Sequence, residues 1–195
     1  MKIRAVKGIR NAHYLENGAI DCEVLFEGET EFVLYTAIQD DTAQTGQHIW
    51  QELQSGKWGE IAPFTVTPEL IAAAKDAKKR EIEAWRDSQE NVEFIFTFDG
   101  RRFDGGKTSQ SRLAPVVAAA QAGLLPEGFF WTDADNNNVI LTREKLIALN
   151  DAMMVAMVTE GFKIHERQRE MKEQLNNLDD LRSIREMAIS GNHAR

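Results

Sequence analysis

The chain has a single cysteine among its 195 residues. Cys22 therefore has no partner for an internal disulfide, which fits a reducing compartment. Within "CEVLF", with no histidine near it in sequence, it is expected to act as a small strand hydrophobe rather than a nucleophile. Positive charge is scarce as well: 23 Lys and Arg stand against 31 Asp and Glu, a net charge of −8 at pH 7. A net negative chain repels the phosphates of nucleic acid and of anionic lipid, so neither is an expected partner. No apolar run approaches the roughly 20 residues that a membrane-spanning helix needs. The opening "MKIRAVKGIRNAHY" has no apolar signal core, so secretion by that route is not expected. Internal repeats and low-complexity tracts are lacking too. What is present is a 43% hydrophobic composition, enough to build one domain or two small ones.

The pattern along the chain predicts an α+β protein: two small modules with antiparallel hairpins and helices, joined by a long helix. Residues 1–66 make the first module. Its strands fall in "KIRAVKGI", "AIDCEVLFEG" and "TEFVLYTAI", rich in β-branched and aromatic residues, with Glu27-Gly28-Glu29 as a hairpin turn. A short helix follows near "TGQHIWQELQSG". There Ile49, Trp50 and Leu53 share a face, and Gly56 is a natural stop. Residues 67–91 are the connecting helix, capped by Thr67, with Pro68 in its first turn and Glu69 at the positive end of its dipole. Its apolar stripe of Leu70, Ile71, Ala74, Ala77, Ile82 and Trp85 is thin. Two fates are open to it: packing on its own chain, or a narrow self-association seam through Leu70, Ile71, Ile82 and Trp85.

Residues 92–189 make the second module. "EFIFTFDGRRFDG" is a hairpin around Asp99-Gly100. "TSQSRLAPVVAAAQAG" is a helix capped by Thr108 or Ser109 and ended by Gly123, and Pro115 is expected to delay its start or to kink it. "GFFWTDADNNNVILT" makes a second hairpin, with Phe129, Phe130 and Trp131 as hairpin core rather than a binding platform. Thr142 caps "REKLIALNDAMMVAMVTEGF", where Leu146, Leu149, Met153 and Met157 form one face, and "KIHERQREMKEQLNN" continues the helix. Asn177 is the expected cap of a last helix. Residues 190–195 are expected to be a loose tail. Hairpins ahead of helices favour antiparallel sheets in each half.

The sharpest chemical motif lies in "WTDADNNNVILTRE". Asp133, Asp135, Asn137 and Glu144 occupy positions 1, 3, 5 and 12 of a calcium-binding EF-hand loop. Against that, Asn138 stands where the loop wants Gly, and Leu141 cannot hold a coordinating water. The preceding "LLPEGFFW" is not an entering helix. A turn over Asp133 to Asn138, with Glu144 in the first turn of a helix, accounts for the same letters. No metal is therefore expected, and the four residues are kept as weak calcium candidates. "DGGKTS" resembles the end of a phosphate-binding loop but lacks the Gly five positions before Gly106. His13, His48, His165 and His193 pair with no other His or Cys at metal-ligand spacing. No Gly-x-Ser-x-Gly elbow exists. Asp40-Asp41 and Asp179-Asp180 are expected to be solvated surface charge. No enzymatic activity and no cofactor are expected.

Taken together, "AKKREIEAWRD", "DGRRFDGGKTSQSRL", the turn carried by Trp131, Asp135 and Asn136, and the "LT" that opens a helix resemble a domain of unknown function. That domain is widespread in tailed-phage and prophage proteins of the tail-fibre region. The resemblance covers roughly residues 70–187. In the first module, "DCEV", "YTAIQDD" and "TGQHIWQELQSGKWGEIAPF" are similar to N-terminal segments of small proteins assigned to tail-fibre assembly or attachment. The resemblance implies no catalytic residue. It implies a virion tail protein made in the host bacterial cytoplasm, with other tail and fibre proteins as partners and a homo-oligomer, preferably a trimer, as its state. Without the long shaft of a host-reaching fibre, the chain is expected to be an adaptor or short component linking fibre to baseplate, or else a fibre-assembly chaperone that binds the fibre end.

Overall fold

Strand β2, Ile20–Phe26, alternates strictly: Ile20, Cys22, Val24 and Phe26 are buried while the residues between them are half-buried. A period of two puts one face of the strand into a core. β1 (Val6–Tyr14) and β3 (Val33–Ala37) flank it in an antiparallel sheet of order β1-β2-β3. The computed structural model describes residues 4–191, and the chain divides into two units after Thr67. The architecture is α+β, and the strands of each sheet pair antiparallel.

In the first unit, β1 slips register twice against β2, between Val6 and Gly8 and between Arg10 and His13. Asn11 sits at the second slip with a φ of 56°, a backbone that Asn tolerates better than most residues. Past the bulge, the Tyr14 amide donates to the Ala62 carbonyl at 2.9 Å and the Ala62 amide to the Ala12 carbonyl at 2.9 Å. Helix α1, Gln44–Gln54, lays Ile49 and Leu53 on the sheet's buried face. It stops as expected, with Gly56 at a φ of 73°.

The start of α1 is organised by Asp41, whose Oδ1 accepts the Ala43 amide at 2.8 Å and whose carbonyl accepts Gln47 Nε2 at 2.8 Å. Gly46 packs directly on that carboxylate. A Cβ at position 46 would overlap it and lie 2.9 Å from the Tyr35 hydroxyl. Gly46→Ala is therefore expected to destabilise the first unit by about 1–3 kcal/mol, because the displaced side chain is the one that holds the helix start. Hydrogen exchange at the amides of residues 20–26 and 44–54, compared with the wild type, checks this.

In the second unit, β4 (Phe94–Phe98) and β5 (Arg101–Gly105) form a tight hairpin. Its two turn residues, Asp99 and Gly100, both have positive φ, at 53° and 74°. Such a turn matches the right-handed twist of the strands. Helix α3, Lys107–Ala122, follows at once. Neither Thr108 nor Ser109 caps it by its own hydroxyl. Glu93 reaches over from before β4 instead: its carboxylate accepts the Thr108 amide at 3.2 Å and the Ser109 hydroxyl at 3.1 Å. Pro115 neither delays the helix nor ends it. Pro115 and Ser111 are both exposed, so the carbonyl that the missing N–H cannot serve lies on the solvent side. Gly123 ends α3 in the left-handed region, and the Leu124 amide returns to the Ala119 carbonyl at 2.8 Å.

Helix α4 runs unbroken over Arg143–Asn176, and the Thr142 hydroxyl accepts the Lys145 amide at 3.3 Å, as a cap should. A short hairpin precedes it, β6 (Trp131–Thr132) with β7 (Asn138–Val139). The last helix, α5 (Leu181–Glu186), is capped by Asp180, which accepts the Ser183 amide at 2.8 Å. Asn177, the cap expected from sequence, instead closes the C-terminus of α4. Phe96, Phe103, Leu113, Val117, Leu146, Leu149 and Met153 form one core between the long hairpin, α3 and the first half of α4.

The helix expected to connect two modules has a different place. α2, Pro68–Glu90, packs on α4 and α5 and belongs to the second unit. Ala74 and Ile82 of α2 are buried there, as are Met171 and Leu175 of α4 and Leu181 and Ile184 of α5. Its stripe is thin because part of the contact is polar. Buried Lys78 donates to Glu81 at 2.8 Å and to the Arg185 carbonyl at 3.3 Å. Arg86 donates to buried Gln168 at 3.2 Å, and Lys75 reaches the Asn176 carbonyl at the end of α4, at 3.2 Å. Residues 192–195 of the expected loose tail lie outside the described residues. The part within them is docked: the Ser190 carbonyl accepts Arg167 Nε at 2.8 Å, and Gly191 lies against the Trp85 ring. Among the described residues no helix is long and apolar enough to cross a membrane.

Candidate functional site

The turn between β6 and β7 is built on one carboxylate. Asp133 is buried, and its Oδ1 accepts the amides of Asn137 at 2.8 Å and Asp135 at 3.0 Å. Asn137 Nδ2 lies 3.3 Å from each oxygen, and Arg101 reaches Oδ2 at 3.3 Å. The backbone turns through Asn136, at a φ of 61°. The Asn137 amide, followed by the Asn137 side chain, the Asp135 amide and Arg101, holds the Asp133 carboxyl below the usual carboxylate range against the opposing pull of burial.

The weak calcium candidates are thereby spread among other tasks. Asp133 spends its oxygens inside the turn, with the Asn137 amides on it. Asp135 pairs with Arg102 at 3.1 Å, and Glu144 stands in the first turn of α4. The described residues contain no group of three or more His, Cys, Asp or Glu placed to hold a metal ion. A carboxyl depressed in the folded state stabilises the fold above its ordinary pKa, and that contribution is lost as the pH falls through the lower folded value. Asp133→Ala is therefore expected to lower the melting temperature at neutral pH. The gap to the wild type should narrow as the pH falls below the ordinary carboxylate value of about 4. Paired thermal melts across that range check both the sign and the window.

The other chemical candidates resolve in the same manner. At "DGGKTS", the N-terminus of α3, where a phosphate would sit, is filled by Glu93, and Lys107 donates to Asn91 at 3.1 Å. Cys22 is buried under the sheet. Burial, and then the charge of Asp21, push its thiol up to about 11, which leaves it protonated at neutral pH and poorly nucleophilic. His13 sits at the β1 bulge, with Nδ1 3.2 Å from the Asn11 carbonyl. His48 lies on α1 and His165 on α4, while His193 is outside the described residues. Asp41 and Asp180 are helix-start residues rather than idle surface charge.

The self-association candidates on α2 lie on a face packed within their own chain. Ile82 is 0% exposed within its own chain, Leu70, Ile71 and Trp85 are half-buried, and the face they share is the one that α4 and α5 cover. Packing on the same chain is thus the fate the stripe meets.

Two open surfaces among the described residues of the second unit stand out by their aromatic and apolar lining. The first is a cleft of about 420 Å³ beside the short hairpin, lined by Asp104, Arg112, Phe129, Phe130, Trp131 and Asn136 among others. Phe129 and Trp131 also pack on the core, whereas Phe130 is 47% exposed. The second is on α4. Met154, Val155, Val158 and Phe162 are 44%, 67%, 72% and 60% exposed, on the side of the helix away from Leu146, Leu149 and Met153. These side chains form an apolar strip open to solvent on one helix face. "AMMVAMV" held the signal for it: the run carries more apolar residues than one helical face can bury.

Residues 73–189 match a family model described as Domain of unknown function (DUF4376). No curated protein and no solved structure matches the chain.

Proposed function

We propose, from the premise that this chain belongs to the family of the Domain of unknown function (DUF4376), a structural role in a bacteriophage tail. In that role it is an adaptor or short component linking a tail fibre to the baseplate or distal tail. It would be made in the host cytoplasm and retained in the virion tail, with other tail and fibre proteins as partners. Support comes first from the resemblance carried by "AKKREIEAWRD", "DGRRFDGGKTSQSRL" and the turn after Trp131. The observation on the molecule that favours joining is the open apolar strip of Met154, Val155, Val158 and Phe162, which suits contact with another protein. The polar groups gathered by the fold, at Asp133, Glu93, Lys78 and Gln168, are engaged in holding it together. Each unit has its own core, so an adaptor of this kind has two separately folded units able to hold different partners.

Mass spectrometry of purified virions from a phage that encodes the chain is the test. Abundant peptides in fixed ratio to a known tail protein are the expected result. Their absence would reject a virion component. Co-purification with free fibre protein would then favour an assembly chaperone that binds the fibre end.

A further inference from the structure

We infer that two copies of this chain pair through the exposed face of α4, antiparallel, about a two-fold axis beside Glu160. The pairing rests on the pattern of α4 and stands whether or not the protein belongs to a phage tail. Along that face, Asp151, Val155, Val158, Phe162, His165 and Arg169 follow one another in alternating steps of four and three. That rhythm keeps one line of side chains facing a partner helix. Val155, Val158 and Phe162 are the apolar centre of the line, with Met154 at its flank.

The line is also its own complement when reversed. Its positions are symmetric about residue 160, so an antiparallel copy sets Val158 against Phe162, Val155 against His165 and Asp151 against Arg169. Asp151 and Arg169 are exposed, and among the described residues neither has an ion-pair partner. They lie 18 residues apart, about 27 Å along the helix, and so bracket the apolar centre. A parallel pair, or a parallel three-fold bundle, would set Asp151 against Asp151 and Arg169 against Arg169. The antiparallel pair makes two opposite-charge contacts and opposes the two helix dipoles. A two-fold interface of this type uses the same patch on both copies. The occupant is a second copy because the charge at one end of the strip is the complement of the charge at the other. Four apolar side chains fall short of the roughly 800 Å² per partner of a standard interface, so the pair is reversible and depends on concentration.

Sedimentation equilibrium of the full chain over about 1 to about 100 μM is the first measurement, and a monomer–dimer equilibrium is the expected result. Asp151→Arg replaces both opposite-charge contacts by like-charge ones, as does Arg169→Asp. Each should weaken the dimer on the order of 10-fold, and more so at low salt. The double reversal D151R/R169D exchanges the partners and should restore the wild-type constant. Both positions are on the solvent face, and circular dichroism checks that every variant keeps its helix. A monomer at all concentrations, a trimer, or a double reversal as weak as the single ones would each overturn the inference.

Discussion

Ile82→Ala is expected to lower the melting temperature of the second unit by on the order of 10 °C while leaving the association state of the chain unchanged. Ile82 is 0% exposed on the face of α2 that packs against α4 and α5. Losing three carbons there forfeits their burial and leaves a cavity, at a cost of about 2–5 kcal/mol. The neighbours cannot easily close it. Lys78, one turn before on the same face, is held by Glu81 and the Arg185 carbonyl, and Gln168 is held by Arg86. Had the stripe been a seam between chains, the same change would have weakened assembly and spared the fold. Thermal melts and sedimentation of one sample separate the two outcomes. Trp85→Ala should show the same split with a smaller drop, since Trp85 is only half-buried and covered in part by Gly191.

Phe103→Ala should have the larger effect on stability, about 3–5 kcal/mol. Phe103 is 1% exposed at the centre of β5, and its ring lies 6.1 Å from that of Phe96 and 6.3 Å from that of Phe98, both tilted. Aromatic pairs in that geometry add to the area they bury. Leu113, Leu146 and Leu149 close the same core, so the void would open between the hairpin, α3 and α4. The first unit has a separate core of Ile20, Val24, Ile49 and their neighbours. Hydrogen exchange should therefore show faster amide exchange across residues 94–153, with the protection of residues 20–26 unchanged.

Much of the local structure was legible in the letters because local chemistry decides it. Asp99-Gly100 demands a left-handed backbone pair and so makes a hairpin. Thr142 offers a hydroxyl to a helix start, and Gly56 and Gly123 offer a left-handed stop. The alternation of β2 puts Ile20, Cys22, Val24 and Phe26 on one face whatever covers it. The turn reading of Asp133 follows from the same short-range logic, since the Asp135 and Asn137 amides that it accepts lie within four residues, and only Arg101 reaches it from far off in sequence.

The tertiary structure decided whatever depended on residues far apart in sequence. Glu93 caps α3 from 15 and 16 residues away, and no local pattern marks it. The fate of α2 hung on residues about a hundred positions later, Asn176 and Arg185, whose carbonyls take Lys75 and Lys78. An amphipathic stripe states only that one face must be covered, by its own chain or by another. Helix α4 left its second apolar face uncovered. Its first apolar face met α3 and the hairpin, nothing in the second unit was left to cover the other, and Val155, Val158 and Phe162 stayed in solvent. Which helix leaves apolar side chains in solvent is thus a matter of what the remaining elements have already covered. That is settled by packing, because burial rewards any apolar contact alike and leaves the choice to shape and reach.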